Sequence, residues 1–168
     1  RIGPDGYIKK GYENLLLHSN QFDTTWVVFY GTILGNQAGY DDTNDAWYFE
    51  KTAAFSQIRQ NFSYSGINTI SIYAKAGDLN GLTIHMRGSA TYIAVFNLSN
   101  GTIYFNQGVS GSIESAGNGW YRCSITAQHT TLGETRIFPS TETGDTSSSS
   151  GSIYIQDAQL NQGLVAYP

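Results

Sequence analysis

Gly119-Trp120-Tyr121-Arg122-Cys123-Ser124-Ile125-Thr126 decides the fold. Tyr121, Cys123 and Ile125 fall on one side of an extended chain, and Arg122, Ser124 and Thr126 on the other. That period of two belongs to a strand with one face buried and one polar. The same alternation closes the chain in Ser152-Ile153-Tyr154-Ile155-Gln156-Asp157-Ala158-Gln159-Leu160.

Outward from this strand the pattern repeats. Residues 67–76 alternate cleanly, with Ile70, Ile72 and Ala74 on one side and Ser71, Tyr73 and Lys75 on the other. Shorter strands are expected at 26–30, 46–51, 56–64, 82–87, 92–97, 102–106, 111–115 and 135–140. Turn chemistry separates them: Gly77-Asp78-Leu79-Asn80-Gly81, and the Asn-Gly pair of Ser99-Asn100-Gly101. Residues 140–150 are rich in Thr, Ser and Gly and read as a mobile surface loop. No helical stretch of useful length and no internal repeat occurs. The expectation is an all-β domain, a two-sheet antiparallel β-sandwich of jelly-roll type.

Composition agrees. The 168 residues suffice for one core; aromatics make up 14%, charged residues only 13%, and glycines number 19. Net charge is −4, which argues against nucleic acid, since phosphates call for an excess of Lys and Arg. No apolar run is long enough for a membrane helix. The single cysteine, Cys123, has no partner for a disulfide within the chain and sits on the apolar side of its strand, where it reads as a small core residue. Residues 1–12 read as a lead-in or linker and 13–168 as one domain.

The order of features resembles a known family. Asn14-Leu15-Leu16, then Asn20-Gln21-Phe22-Asp23 and Trp26, resembles the opening of family 4 and family 22 carbohydrate-binding modules. The ending at 153–160 resembles their last strand. Ile70-Ser71-Ile72-Tyr73-Ala74-Lys75-Ala76-Gly77, Gly119-Trp120-Tyr121-Arg122, and Ala158-Gln159-Leu160-Asn161-Gln162-Gly163 with Tyr167-Pro168 resemble a version found in bacteriophage tail and tail-fibre proteins. The resemblance implies a galactose-binding-like jelly roll that binds glycans, on a virion or extracellularly. It also implies a structural Ca²⁺ held by Asn20, Asp23 and Asp157. Gln156 departs from the acidic residue common at that position, and Ca²⁺ wants several oxygens with negative charge among them.

Sugar binding needs flat apolar faces together with planar polar groups. If Ile70, Ile72, Ile84, Met86 and Ile137 point inward, then Tyr73, Lys75, His85, Arg87, Arg136 and Phe138 take the opposite sides of their strands. Gln57 and Arg59 join them if Ile58 points inward. The candidate carbohydrate-binding set is Trp47, Phe55, Arg59, Tyr73, His85, Arg87 and Phe138. The plain alternative is a solvated sheet face, the default for antiparallel sheets. Trp26 and Trp120 read as core residues. The acidic run Asp41-Asp42-Thr43-Asn44-Asp45 reads as a solvated turn. His18, His85 and His129 lack metal-ligand spacing, and no nucleophile elbow appears. The expected function is non-catalytic binding of an oligo- or polysaccharide by a phage virion or tail protein, with other virion subunits as further partners. A structural module of a tail fibre, or an accessory domain of a polysaccharide-degrading enzyme, is the alternative.

Overall fold

A computed structural model of the chain describes residues 20–23, 26–88, 90–107 and 110–162. The lead-in expected at 1–12, the opening Asn14-Leu15-Leu16 and the closing Tyr167-Pro168 lie outside them. Ten strands follow one another: β1 (Val27–Phe29), β2 (Gly31–Gln37), β3 (Ala46–Lys51), β4 (Gln57–Ala76), β5 (Gly81–Gly88), β6 (Thr91–Asn97), β7 (Thr102–Gln107), β8 (Ser110–Gly117), β9 (Trp120–Ser140) and β10 (Ser152–Gln162). Every pairing among them is antiparallel.

Two long central strands organise the sandwich. β4 and β9 pair along their whole length, from Ile58 opposite Ile137 to Lys75 opposite Trp120. The first sheet runs β2-β3-β10, then the C-terminal half of β4, the N-terminal half of β9, and β8. The second runs β1, the N-terminal half of β4, the C-terminal half of β9, then β5-β6-β7. The sequence divides each long strand in two, at 56–64 and 67–76 and again at 119–126 and 135–140. The structure joins the pieces, because the break in alternation is a bend and not a turn. The register shifts between Asn61, Tyr64 and Gly66, and Gly66 takes φ 89 with open space around it. Such bulges bend a strand and let it change sheets.

The apolar sides of the two sheets form one core. Ile70, Ile72, Ile125, Ile155 and Leu160 of the first sheet and Ile58, Leu82, Ile84, Phe96 and Ile137 of the second are all fully buried in it. Each such side chain contributes about 1.5–3 kcal/mol through burial. Cys123 is in this core, and burial pushes its thiol pKa upward. Trp26 is buried in this core as expected; Trp120 is buried too, but outside the core, on the outer side of the first sheet beneath Tyr40, because it alternates with the core residues Cys123 and Ile125.

Residues 141–150 are not a free loop. Thr141 N–H donates to the Asp145 carbonyl at 3.0 Å, and Thr146 O accepts from Phe55 N at 2.9 Å and from Lys51 Nζ at 2.7 Å. Lys51 is only 3% exposed, so its ammonium is spent on this tie.

Candidate functional site

The outer face of the second sheet gathers most of the charged candidates. Strand register places Val27, Arg59, Arg136, His85 and Ile93 in one row across β1, β4, β9, β5 and β6. The adjacent row holds Asn61, Glu134, Arg87 and Thr91. Alternation alone puts these residues outside, because their neighbours Ile58, Ile84 and Ile137 are in the core.

Glu134 is the hub of this face. Its Oε2 lies 3.4 Å from Arg59 Nη1, and its Oε1 accepts from Arg136 Nε. The Arg59 guanidinium also lies 3.7 Å from the centroid of the Phe29 ring. Glu134 thus holds both arginines in place, and the Phe29 ring also stacks on the guanidinium of Arg59. The His85 ring lies 4.6 Å from Phe138, centroid to centroid. Burial, then the charges of Arg87 and Arg136, push His85 down to about 4 against the pull of Glu134. At neutral pH it is a neutral imidazole with one donor and one acceptor. Its Nδ1 is buried and has no partner. Arg59, Arg87 and Arg136 against Glu134 give this face a formal charge of +2 (three minus one) in a chain of −4.

One end of the face is roofed. Phe138 is 5% exposed, and Thr83 and Val95 in its row are buried too, where Gly144 of the 141–150 segment lies against Val95. Phe138 is thus a wall behind His85 and not an open platform. Phe55 is 56% exposed just before β4, and its carbonyl accepts from Gln57 Nε2.

Tyr73 and Lys75 are elsewhere. They lie on the outer side of the first sheet, so the structure corrects the single face inferred from alternation. Alternation tells inside from outside but not which of two sheets a side chain leaves from. Tyr73 stacks under Tyr40 at 3.6 Å and 7°, and Tyr40 also meets Trp120 edge-on. Trp47 points the other way, toward the core margin. Its ring meets Phe22 edge-on, and its Nε1 donates to Asn20 O at 2.9 Å.

Of the residues implied for Ca²⁺, Asn20 and Asp157 do come together. Asn20 Oδ1 accepts from Asp157 N at 3.0 Å, and Asn20 Nδ2 donates to Asp45 O. Asp157 Oδ2 accepts from Tyr40 OH at 2.8 Å. Gln156, fully buried, donates to Asp41 Oδ1 and accepts from Tyr40 N. Asp23 is exposed. Among the described residues no group of three or more His, Cys, Asp or Glu converges. As arranged, these oxygens form a hydrogen-bonded clip that ties Asn20 and the 40–45 turn to β10.

Glu134, Phe29 and Tyr40 escaped the sequence reading. Glu134 stands two residues before Arg136 on one strand, and that spacing was the available signal for a same-face pair. Phe29 meets Arg59 only through the β1–β4 pairing, which no local pattern announces.

No protein-family model matches the chain, and no curated protein matches it in sequence. Among solved structures it is similar to a family 61 carbohydrate-binding module in complex with β-1,4-galactotriose, with TM-score 0.51 and 9% identity over 90% of this chain and 99% of that one. It is also similar to the CBM22-1–GH10 modules of the Clostridium thermocellum endo-1,4-β-D-xylanase 10B complexed with xylohexaose, with TM-score 0.44, 10% identity, and coverage of 94% of this chain and 29% of that one. The likeness to the family 61 module shows the architecture alone: this chain is a two-sheet antiparallel jelly-roll sandwich.

Proposed function

We propose that the chain is a non-catalytic module that binds an oligo- or polysaccharide on the outer face of the second sheet. One observation carries the reading: Glu134, clamped between Arg59 and Arg136, shares one sheet face with Arg87 and a neutral His85. Sugar hydroxyls are donors and acceptors at once. A carboxylate, two planar guanidinium groups and a neutral imidazole supply both kinds of partner in fixed positions. Phe29 on this face and the exposed Phe55 just before β4 supply apolar surface for the CH side of a pyranose. Affinity per module is on the order of micromolar to millimolar, with avidity from several copies.

The segments resembling phage tail modules support placing this module on a virion, where the glycan belongs to the host surface or its surroundings. The test is affinity electrophoresis against a panel of neutral and uronate-containing polysaccharides, with a His85→Ala, Arg87→Ala double variant. Retardation of the wild type that is lost in the variant supports the reading. Retardation by no polysaccharide, or equal retardation of both proteins, contradicts it.

A second reading has its own observation. Val27, Tyr30, Leu34 and Phe55 are each more than half exposed. A structural module that packs on a neighbouring subunit would bury such side chains. Light scattering that finds a stable oligomer, with no glycan bound, would favour it.

A further inference from the structure

We propose a second sugar site, separate from the arginine face, in the cleft beside Trp47. The cleft has a volume of about 400 Å³ and is lined by Asn20, Gln21, Gly35, Asn36, Asn44, Asp45 and Trp47. That volume lies in the small-ligand range of roughly 300–1,000 Å³ and has room for a short sugar terminus.

The floor is aromatic and fixed. Trp47 is half-buried, held by Phe22 on one side and by its N–H on Asn20 O. Gly35 lies beside it on β2, and a Cβ there would stand 3.1–3.3 Å from three carbons of the six-membered ring. A side chain there would crowd the ring and fill this part of the cleft. The walls are amides. Gln21, Asn36 and Asn44 are exposed, and their side chains carry no hydrogen bond among the described residues. Each offers a donor and an acceptor to adjacent hydroxyls. Asn20 is spent on the clip to Asp157 and Asp45 and serves as a positioning residue.

The charge of the cleft selects the ligand. Its lining contains a carboxylate, Asp45, and no Lys or Arg. Burial first, and then the charges of Asp41 and Asp45, raise the pKa of Asp157 close by. The field is negative, opposite in sign to that of the arginine face. The class of ligand is therefore a neutral sugar terminus with vicinal hydroxyls, and a uronate is excluded by repulsion. Two sites of opposite charge on one module would let it hold a mixed glycan, or two chains, at once.

Trp47 supplies its own readout. Trp26 and Trp120 are buried, so acrylamide quenching of tryptophan fluorescence reports chiefly on Trp47. The probes are glucose, galactose, mannose and sodium glucuronate, on the whole chain. Two variants remove amides without touching the core: Asn44→Ala, and Asn36→Gly, which suits the φ of 61° at that position. A third, Arg59→Ala with Arg136→Ala, disables the other face. The proposal predicts that at least one neutral hexose protects against quenching and that glucuronate does not. It predicts the same protection in the arginine variant and at least tenfold weaker binding in the amide variants. Protection by glucuronate alone, protection lost in the arginine variant, or none from any neutral hexose would overturn it. Failure of the arginine face alone would leave this result standing.

Discussion

Replacing Tyr40 by Phe removes one hydroxyl and nothing else. The ring stays, so the stack on Tyr73 and the edge contact with Trp120 are kept. What is lost is the 2.8 Å hydrogen bond to Asp157 Oδ2. Burial and the nearby carboxylate hold the Tyr40 phenol protonated, so it always donates. A hydrogen bond to a charged acceptor is worth about 1.5–3 kcal/mol, and a neutral one about 0.5–1.5. Because Asp157 is only half-buried, we take about 2 kcal/mol at neutral pH. For a domain of this size that lowers Tm by about 4–8 °C.

The pH dependence has a definite sign. Asp157 is raised above its ordinary value of 3.8, first by burial and then by Asp41 and Asp45, while the Tyr40 bond pulls it down. A raised carboxyl contributes stability that is fully present below the unfolded value and lost as pH rises through the folded value. Tyr40→Phe removes the downward pull, raises the folded value further and enlarges that loss. The gap between wild type and variant is therefore largest near neutrality and shrinks to the neutral-bond level, about 1 kcal/mol or less, at about pH 3. Urea unfolding at both pH values measures it. An Asp157→Asn partner, whose side chain tolerates the φ of 49° there, closes a double-mutant cycle. A gap that is constant with pH, or that widens in acid, would refute the assigned bond and its charge.

Three further outcomes follow from the same geometry. If Asn20 and Asp157 form a clip and not an ion site, EDTA and added calcium will leave Tm unchanged by differential scanning fluorimetry. An ion held at 100-fold excess over its Kd would raise Tm by roughly 5–10 °C instead. Lys51→Met keeps the buried stem but removes the ammonium from Thr146 O, so exchange of the Phe55 amide, which donates to the same carbonyl, should quicken at least about tenfold by mass spectrometry. Cys123 should ignore Ellman's reagent in the native protein and release one equivalent of colour on unfolding, because its thiol is fully buried and held protonated.

The fold was largely legible because strand alternation is a local signal. Residues 119–126 carry it without interruption and face the core on the side expected; in 152–160 a bulge between Gln156 and Gln159, with Asp157 at φ 49°, shifts the phase, so that Ala158 and Leu160 join Ile153 and Ile155 in the core against strict alternation. β2 was missed: Gly31-Thr32-Ile33-Leu34-Gly35-Asn36-Gln37 has two glycines, and its edge position leaves Leu34 61% exposed. The site was legible only in part. Alternation places Arg59, His85 and Arg87 outside, and register brings them together with Arg136. Tyr73 and His85 were grouped because both oppose core residues on their own strands. Which sheet each strand half enters depends on the bend at Gly66, a long-range outcome of packing. The 141–150 segment looked free because its composition is polar, while its anchor, Lys51, lies some ninety residues earlier in the chain.

The most direct test of the central claim is a nitrogen-15 NMR titration of the whole chain with the oligosaccharide unit of whichever polysaccharide retards it. The account predicts that the His85 imidazole and the guanidinium signals of Arg59 and Arg136 shift together, saturably, with one dissociation constant. Saturable binding that leaves all three unmoved, with the shifts elsewhere on the domain, would contradict it.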